Sequence, residues 1–251
     1  MRDTGLRRSH CCSLASPRGD NSQSSKLANP YLAERKARQP SVQIDALDLW
    51  QEDRPEFDGD KAAAKMTFFG LGEMNNETQS AWDQIATITQ RFTDADEYVF
   101  SVPMWNCGVD YKLKQYIDII TQPGLLFGFD PEAGYSGLLE NKVARVFYTA
   151  GVYAPGASAK YGSDYQSSYL SWWLEFIGIS EIRDVRFQPS LLTGDPLGDQ
   201  KAAIERSVEL VSQYRLLPRR PLGLRGSFTK SGPAVARPMT EPRPRIAGSI
   251  A

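Results

Sequence analysis

Three short stretches of this sequence combine residues able to hold a ligand, and none of them carries the side chains of acid-base catalysis. The first, Ser16-Pro-Arg-Gly-Asp-Asn-Ser22-Gln23-Ser24-Ser25, runs into Lys26-Leu27-Ala28. Small hydroxyl residues ahead of a helix offer Oγ atoms and free backbone N–H groups to a phosphate at the positive helix end. The same residues equally make an ordinary serine-capped helix start. The Gly-Lys-Ser/Thr ending of a Walker loop is missing. The second stretch is Pro103-Met104-Trp105-Asn106-Cys107-Gly108. An aromatic and an amide at the carboxyl end of a strand can hold a flat heteroaromatic ligand; alternatively Asn106 and Gly108 close a turn and Trp105 packs into the core. The third, Tyr148-Thr149-Ala150-Gly151-Val152-Tyr153, has small side chains that let a ligand approach the backbone. It also reads as a plain strand exit.

The rest of the composition narrows the chemistry. Among 251 residues there is one histidine, His10, and three cysteines, Cys11, Cys12 and Cys107. That is too few imidazoles and thiols for most metal sites, so no metal is expected. A histidine-dependent triad would have to use His10. An odd cysteine count with two adjacent residues gives no disulfide framework, which favours a reducing, cytoplasmic location. No run approaches the roughly 18 apolar residues of a membrane span, and no long apolar stretch follows the early arginines as it would in a secretory signal. The net charge of -1 conceals an asymmetry. Residues 215–251 hold eight basic side chains against Glu241, residues 1–19 hold four arginines against Asp3, and residues 20–214 hold 17 basic against 28 acidic groups. An acidic body lies between two basic ends.

The elements that must position the three stretches alternate between strand-like and helix-like patterns, as in an open α/β sheet. Strands are expected over Val42 to Leu49, at the nearly continuous apolar run Tyr98 to Val102, at Val143 to Tyr148 and at Val185 to Phe187. Helical spacing predicts helices over Ser80 to Phe92, with Ser80 or Thr78 as cap, around Leu113, Tyr116, Ile117 and Ile120, from Tyr165 to Ile177 with Gly178 as C-terminal cap, and over Lys201 to Gln213. Residues 51–79 read as a long surface excursion. Residues 216–251, punctuated by proline, glycine and arginine, read as a basic disordered tail. Ligands of an open doubly wound sheet sit beyond the carboxyl ends of its strands, where the strand order reverses. A phosphate loop after the first strand and an aromatic loop after the third would flank one crevice in a five-stranded parallel sheet of order 2-1-3-4-5. That geometry suits a flavin mononucleotide.

The segment Pro103-Met-Trp-Asn-Cys-Gly-Val-Asp-Tyr-Lys-Leu-Lys-Gln-Tyr-Ile-Asp118, continued by Gln122-Pro-Gly to Phe127, the run Phe176-Ile-Gly-Ile179, and the spacing of Ser16 and Ser22-Gln-Ser24 resemble the FMN-dependent NADH-azoreductases and NADH:quinone oxidoreductases of flavodoxin-like fold. The resemblance runs from about Ser16 to Gln213. It implies an FMN-binding domain over residues 16–215, after an irregular segment 1–15. It also implies that Ser16, Ser22, Gln23 and Ser24 hold the phosphate and ribityl chain. Met104, Trp105, Asn106 and Cys107 then contact the isoalloxazine, with Thr149, Ala150, Gly151 and Val152 beside its far edge. It further implies a homodimer with flavin sites at the interface, with Phe127 and Trp173 lining the substrate pocket. The implied reaction is a ping-pong cycle in which NADH or NADPH reduces the flavin and a quinone or azo compound reoxidises it. The flavin then supplies the difficult chemistry while the protein orients and tunes it.

Three features depart from the family pattern. Gly5 to Leu14 lacks the β-branched apolar run expected of the middle strand, which predicts a weak first strand. Pro30 falls inside the expected first helix, where it should kink or shorten it. Cys107 stands where an aromatic is usual. A weak first strand motivates the alternative of a flavodoxin-like FMN-binding or regulatory protein with impaired or no turnover. The basic tail permits an arm for anionic surfaces or nucleic acid, but beyond Phe228 no aromatic platform is interleaved with its charges, so an inert solvated tail is the simpler reading.

Overall fold

The computed structural model describes residues 10–14, 16 and 18–212. The elements follow one another as β1 (His10–Leu14), α1 (Gln23–Arg38), β2 (Ile44–Asp48), α2 (Gly59–Thr67), α3 (Asn76–Thr93), β3 (Glu97–Pro103), α4 (Tyr111–Ile120), β4 (Phe127–Asp130), β5 (Gly134–Gly137), β6 (Val143–Thr149), α5 (Ser167–Phe176), β7 (Glu181–Phe187) and α6 (Pro196–Ser212). Five strands pair in parallel in the order β2-β1-β3-β6-β7, and β4 with β5 forms a separate antiparallel hairpin. The order reverses between β1 and β3, so the loops after these two strands open on the same crevice.

Alternation along β3 explains why the sheet carries helices on both faces. Tyr98, Phe100 and Val102 point into a core shared with Ile85, Phe92, Leu113, Tyr116, Leu170 and Trp173 from α3, α4 and α5. Val99 points the other way, into a smaller core with Leu27, Ala28 and Tyr31 of α1 and Ala203, Leu210 and Val211 of α6. A strand buried on both sides has no polar face, and β3 and β6 accordingly lie buried along nearly their whole length.

Several expectations need correcting. His10–Leu14 is not part of an irregular segment: its backbone pairs over five residues with β2 on one side and β3 on the other. Ladder pairing needs backbone groups rather than particular side chains, and two neighbouring strands leave edges that β1 alone satisfies. Pro30 does not shorten α1, which runs through it for 16 residues. The buried stripe Leu27, Ala28, Tyr31 and Arg35 holds this helix to the sheet, and tertiary packing of that kind outweighs one lost N–H donor. The stretch 51–79 is not a plain excursion. It contains α2, capped by Asp58, and the start of α3, whose cap is Asn75 in a reciprocal box with Thr78 rather than Ser80. The tail 216–251 lies outside the described residues.

At the amino ends of the strands, the α1 face of β3 begins with a fully buried carboxylate. Glu97 accepts from the Tyr31 hydroxyl and, at 3.2 Å, from Arg35 Nε, while buried Arg145 donates to Glu181 at 2.9 Å. Burial, followed by the charge of Glu97, pushes the Tyr31 hydroxyl well above its ordinary pKa, so it remains a donor. A buried charge that loses its partner is uncompensated, at a cost of about 3–5 kcal/mol. Glu97→Ala should therefore lower unfolding stability by about that amount, read as a large drop in urea midpoint at unchanged slope. A midpoint within error of wild type would show that the network contributes nothing.

Candidate active site

The first stretch folds as anticipated for a helix start, with a feature beyond a simple cap. Ser22 is the N-cap of α1 and its Oγ accepts from Ser25 N at 3.3 Å. Ser22 Oγ also lies 3.0 Å from Ser24 Oγ, which accepts from Ser101 Oγ at 2.9 Å, and Ser25 Oγ lies 3.3 Å from Ser101 Oγ. Four buried hydroxyls from the first turn of α1 and from β3 thus form one cluster. Ser16, also buried, accepts from Arg18 N at 3.3 Å. Gln23 is joined to Gln200 of α6 through their side-chain amides. The N–H groups of Gln23 and Ser24 belong to the first helical turn, where no intrahelical acceptor exists, and no acidic residue stands in that turn. Backbone donors, small hydroxyls and the positive helix end together make a donor set suited to a phosphate.

The second stretch leaves β3 as a tight turn. Trp105 and Gly108 exchange both backbone hydrogen bonds, at 3.0 and 2.9 Å, around Asn106 and Cys107, whose φ angles are +47° and +67°. Two successive left-handed residues define a type I′ turn. The turn is therefore present, but Trp105 is not packed in the core: it is 43% exposed at the mouth of the crevice. Met104 N–H donates to Thr149 O at 2.7 Å, and Tyr165 N–H donates to Cys107 O at 2.9 Å, so the turn is tied both to the end of β6 and to the segment ahead of α5. On its outer side, Trp105 borders a cleft of about 850 Å³ with Trp50, Phe57, Tyr111, Lys114 and Asp118.

The third stretch lies beside the second across the ends of β3 and β6. Thr149 and Ala150 are buried, while Gly151 and Val152 turn outward. Ala150 is bonded to the end of β7 and the segment after it, as donor to Phe187 O at 3.4 Å and acceptor from Ser190 N at 2.7 Å. The β3 end is held by Gln166, whose Nε2 donates to Val102 O at 2.8 Å, and Gln188 Nε2 donates in turn to Gln166 Oε1 at 3.0 Å. Asp164 orients Gln166 by accepting from the N–H groups of Gln166 and Ser167 at 3.1 and 2.7 Å.

The two pocket residues part company with expectation. Trp173 does not line a pocket. It is 1% exposed, packed against Phe92 and Phe100, with its indole N–H donating to Thr121 Oγ1 at 2.9 Å. Helical geometry puts it on the stripe of Leu170, Leu174 and Ile177 and turns its neighbour Trp172 outward, stacked on Phe176. Phe127 is likewise buried, in a cluster with Tyr135 and Phe176, and Lys65 lies over its ring. Sequence reasoning placed Ser25 in the first stretch without a partner, and missed Ser101, Gln166 and the segment Gln188 to Leu191. Of the missed residues only Ser101 left a signal, as the one serine in an apolar strand.

A cradle of donors on one side of the crevice, and on the other a turn carrying an exposed indole beside a small-residue loop, fit a ligand with a phosphate at one end and a flat ring system at the other. Comparison with known proteins agrees. Residues 14–210 match the flavodoxin-like fold family, and the chain belongs to it. Within that fold it belongs to the FMN-dependent NADH:quinone oxidoreductases. It is 58% identical over 183 residues to the protein of that name from Ruegeria pomeroyi, covering 73% of this chain and 90% of that one, and 41% identical over 177 residues to the one from Desulfotalea psychrophila, covering 70% and 83%. Among solved structures, it superposes on an FMN-dependent NADH-azoreductase from Bacillus anthracis in complex with FMN with a TM-score of 0.72 and 25% identity, covering 83% of this chain and 99% of that one. Among the described residues no helix is long and apolar enough to cross a membrane.

Asp164 supplies a pH dependence. Burial works to raise its pKa, but the hydrogen bonds from Ser167 and the charge of Arg186 prevail and hold the carboxyl below its ordinary value of 3.8. A group depressed on folding stabilises the folded state above its unfolded pKa, and the contribution is lost as pH falls through the folded value. Urea midpoints measured from pH 7 downward should fall below about pH 4, less steeply in Asp164→Asn than in wild type. Identical profiles for the two proteins would remove Asp164 from the account.

Proposed function

We propose that this chain is an FMN-dependent oxidoreductase that takes electrons from NADH, or NADPH, and delivers them to quinones and azo compounds. The observation that carries this reading is the convergence of the three loops at the carboxyl ends of β1, β3 and β6, with the serine-rich start of α1 among them. Ser16, Ser22, Gln23 and Ser24 would hold the phosphate and ribityl chain through hydroxyls and first-turn N–H groups. Met104, Trp105, Asn106 and Cys107 would border one side of the ring, and Thr149, Ala150, Gly151 and Val152 the other. Bound there, FMN supplies two-electron transfer between nicotinamide and acceptor.

The protein's own part is binding and orientation. Left-handed backbone at Asn106 and Cys107 reverses the chain sharply after β3, and the tie from Met104 to Thr149 joins the two loops proposed to border the ring. Small residues from Thr149 to Gly151 leave room for close approach of a planar group. A chain with a single histidine is suited to this role, since no side chain has to shuttle the electrons. The alternative of a flavodoxin-like FMN-binding or regulatory protein with impaired or no turnover rests on a weak first strand, whereas β1 is paired on both sides.

We further propose a homodimer working in the cytoplasm, where the nicotinamide donor resides. Large exposed rings, including Tyr111, Phe129, Tyr135 and Trp172, supply the apolar surface a subunit contact would use. The test is a visible spectrum of the purified chain loaded with FMN. The expected result is a bound flavin absorbance that bleaches under NADH without oxygen and returns on adding a benzoquinone. A chain that retains no FMN, or a bound flavin that NADH leaves unchanged, contradicts the reading.

A further inference from the structure

The segment between β7 and α6 folds back onto the third loop and adds side chains that electron transfer itself does not require. Ser190 N–H donates to Ala150 O at 2.7 Å, and Leu191 N–H donates to Gly151 O at 2.8 Å. Leu191 consequently lies across Gly151, so closely that a Cβ at residue 151 would come within 2.9 Å of Leu191 Cδ1. Fixed in this way, Leu191 remains 74% exposed, Leu192 55% and Val152 44%. A lone exposed leucine is unremarkable. Here, however, Leu191 is tied by its backbone N–H to Gly151 of the loop proposed to border the ring, and Leu192 and Val152 directly follow the two members of that tied pair in the chain. The nearest acidic residues are engaged at the start of α6: Asp195 Oδ1 accepts from Gly198 N at 3.0 Å, and Asp199 accepts from the Thr193 hydroxyl.

We propose that Leu191, Leu192 and Val152 form an aliphatic shelf for the hydrocarbon side chain of the electron acceptor, so that the preferred acceptors are quinones bearing an alkyl or isoprenyl chain. This inference rests on the function proposed above and specifies its substrate class. The occupant follows from continuity and from charge. The shelf begins at Gly151, where the acceptor ring would meet the loop, and leads outward. Its own three side chains are aliphatic and offer nothing to a charged or hydrogen-bonding substituent. Gly151 serves it directly, because a Cβ there would crowd Leu191 Cδ1 and oblige that side chain to shift.

The experiment uses the FMN-loaded full chain and a series of 1,4-benzoquinones that differ only in one n-alkyl substituent, from methyl to butyl to octyl. A fully covered methylene is worth about fourfold in kcat/KM and a half-covered one about twofold, so an open shelf should give about a tenfold rise from methyl to butyl. In Leu191→Ser/Leu192→Ser the plot of log kcat/KM against chain length should flatten, whereas Leu191→Met should keep the slope. Because each slope is internal to one protein, a general loss of activity in a variant does not affect it. A wild-type series with no rise, or equal slopes in wild type and double variant, overturns the shelf. So does an unchanged slope with an altered sedimentation coefficient, which would assign the leucines to a contact between copies of the chain. If flavin-loaded wild type fails to reduce even the methyl quinone, the proposed function itself fails, and the shelf with it.

Discussion

The first turn of α1 is joined to the middle of β3 by hydroxyls: Ser24 and Ser25 meet Ser101, and Ser22 joins them through Ser24. Ser101 is fully buried in a strand whose neighbours Phe100 and Val102 belong to the core. A hydroxyl in such a place is costly unless it is hydrogen-bonded, and here its partners all lie on the helix whose start is the proposed phosphate cradle. The cluster therefore sets where the positive end of α1 stands relative to β3. The turn Trp105 to Gly108 begins only four residues after Ser101. Donors for one end of a ligand and the border for its other end are thereby referred to the same strand.

The remaining ties extend this frame laterally. Met104 is bonded to Thr149, Ala150 to Phe187 and Ser190, and Gln166 to Val102, so the ends of β3, β6 and β7 are tied to one another. At the opposite end of the sheet, Glu97 is held by Tyr31 and Arg35 of the same helix. Helix α1 is thus fastened to β3 at both ends, by hydroxyls near the crevice and by a buried ion pair far from it. The two attachments work in different ways. The serine cluster is neutral and occupies only the Ser25 N–H of the first turn, leaving those of Gln23 and Ser24 without an acceptor in the helix, while the charged pair sits where no ligand needs to approach.

Much of this was legible in the residue pattern, for reasons that differ along the chain. β3 and β6 announced themselves as short continuous apolar runs, and α4 and α5 by apolar residues at three- and four-residue spacing. The three loops were recognisable because hydroxyl, aromatic and small residues follow strands. α2 was not legible, because Gly59 to Thr67 buries only Lys61 and Ala64 and so has no apolar stripe. The hairpin of β4 and β5 consists of four-residue strands rich in glycine and aromatics, too short for a period to register. β1 lacks the composition of a middle strand and takes that place through backbone pairing on both sides, which side-chain patterns do not report. Trp173 stands at helical spacing from Leu170 and Ile177, and that buried stripe carries it into the core. The contact of the β7–α6 segment with Gly151 joins residues about 40 apart and leaves no local trace.

The claim on which these arguments converge is that Ser101 positions the cradle at the start of α1, and FMN affinity measures it most directly. Removing the hydroxyl leaves Ser24 and Ser25 short of a partner, a penalty of about 1–3 kcal/mol. Titration of the flavin-free protein with FMN, followed by quenching of flavin fluorescence, should show Ser101→Ala binding about fivefold or more weakly than wild type, with Ser101→Thr close to wild type. Equal affinity for FMN in Ser101→Ala and wild type, with both proteins folded, would contradict the account.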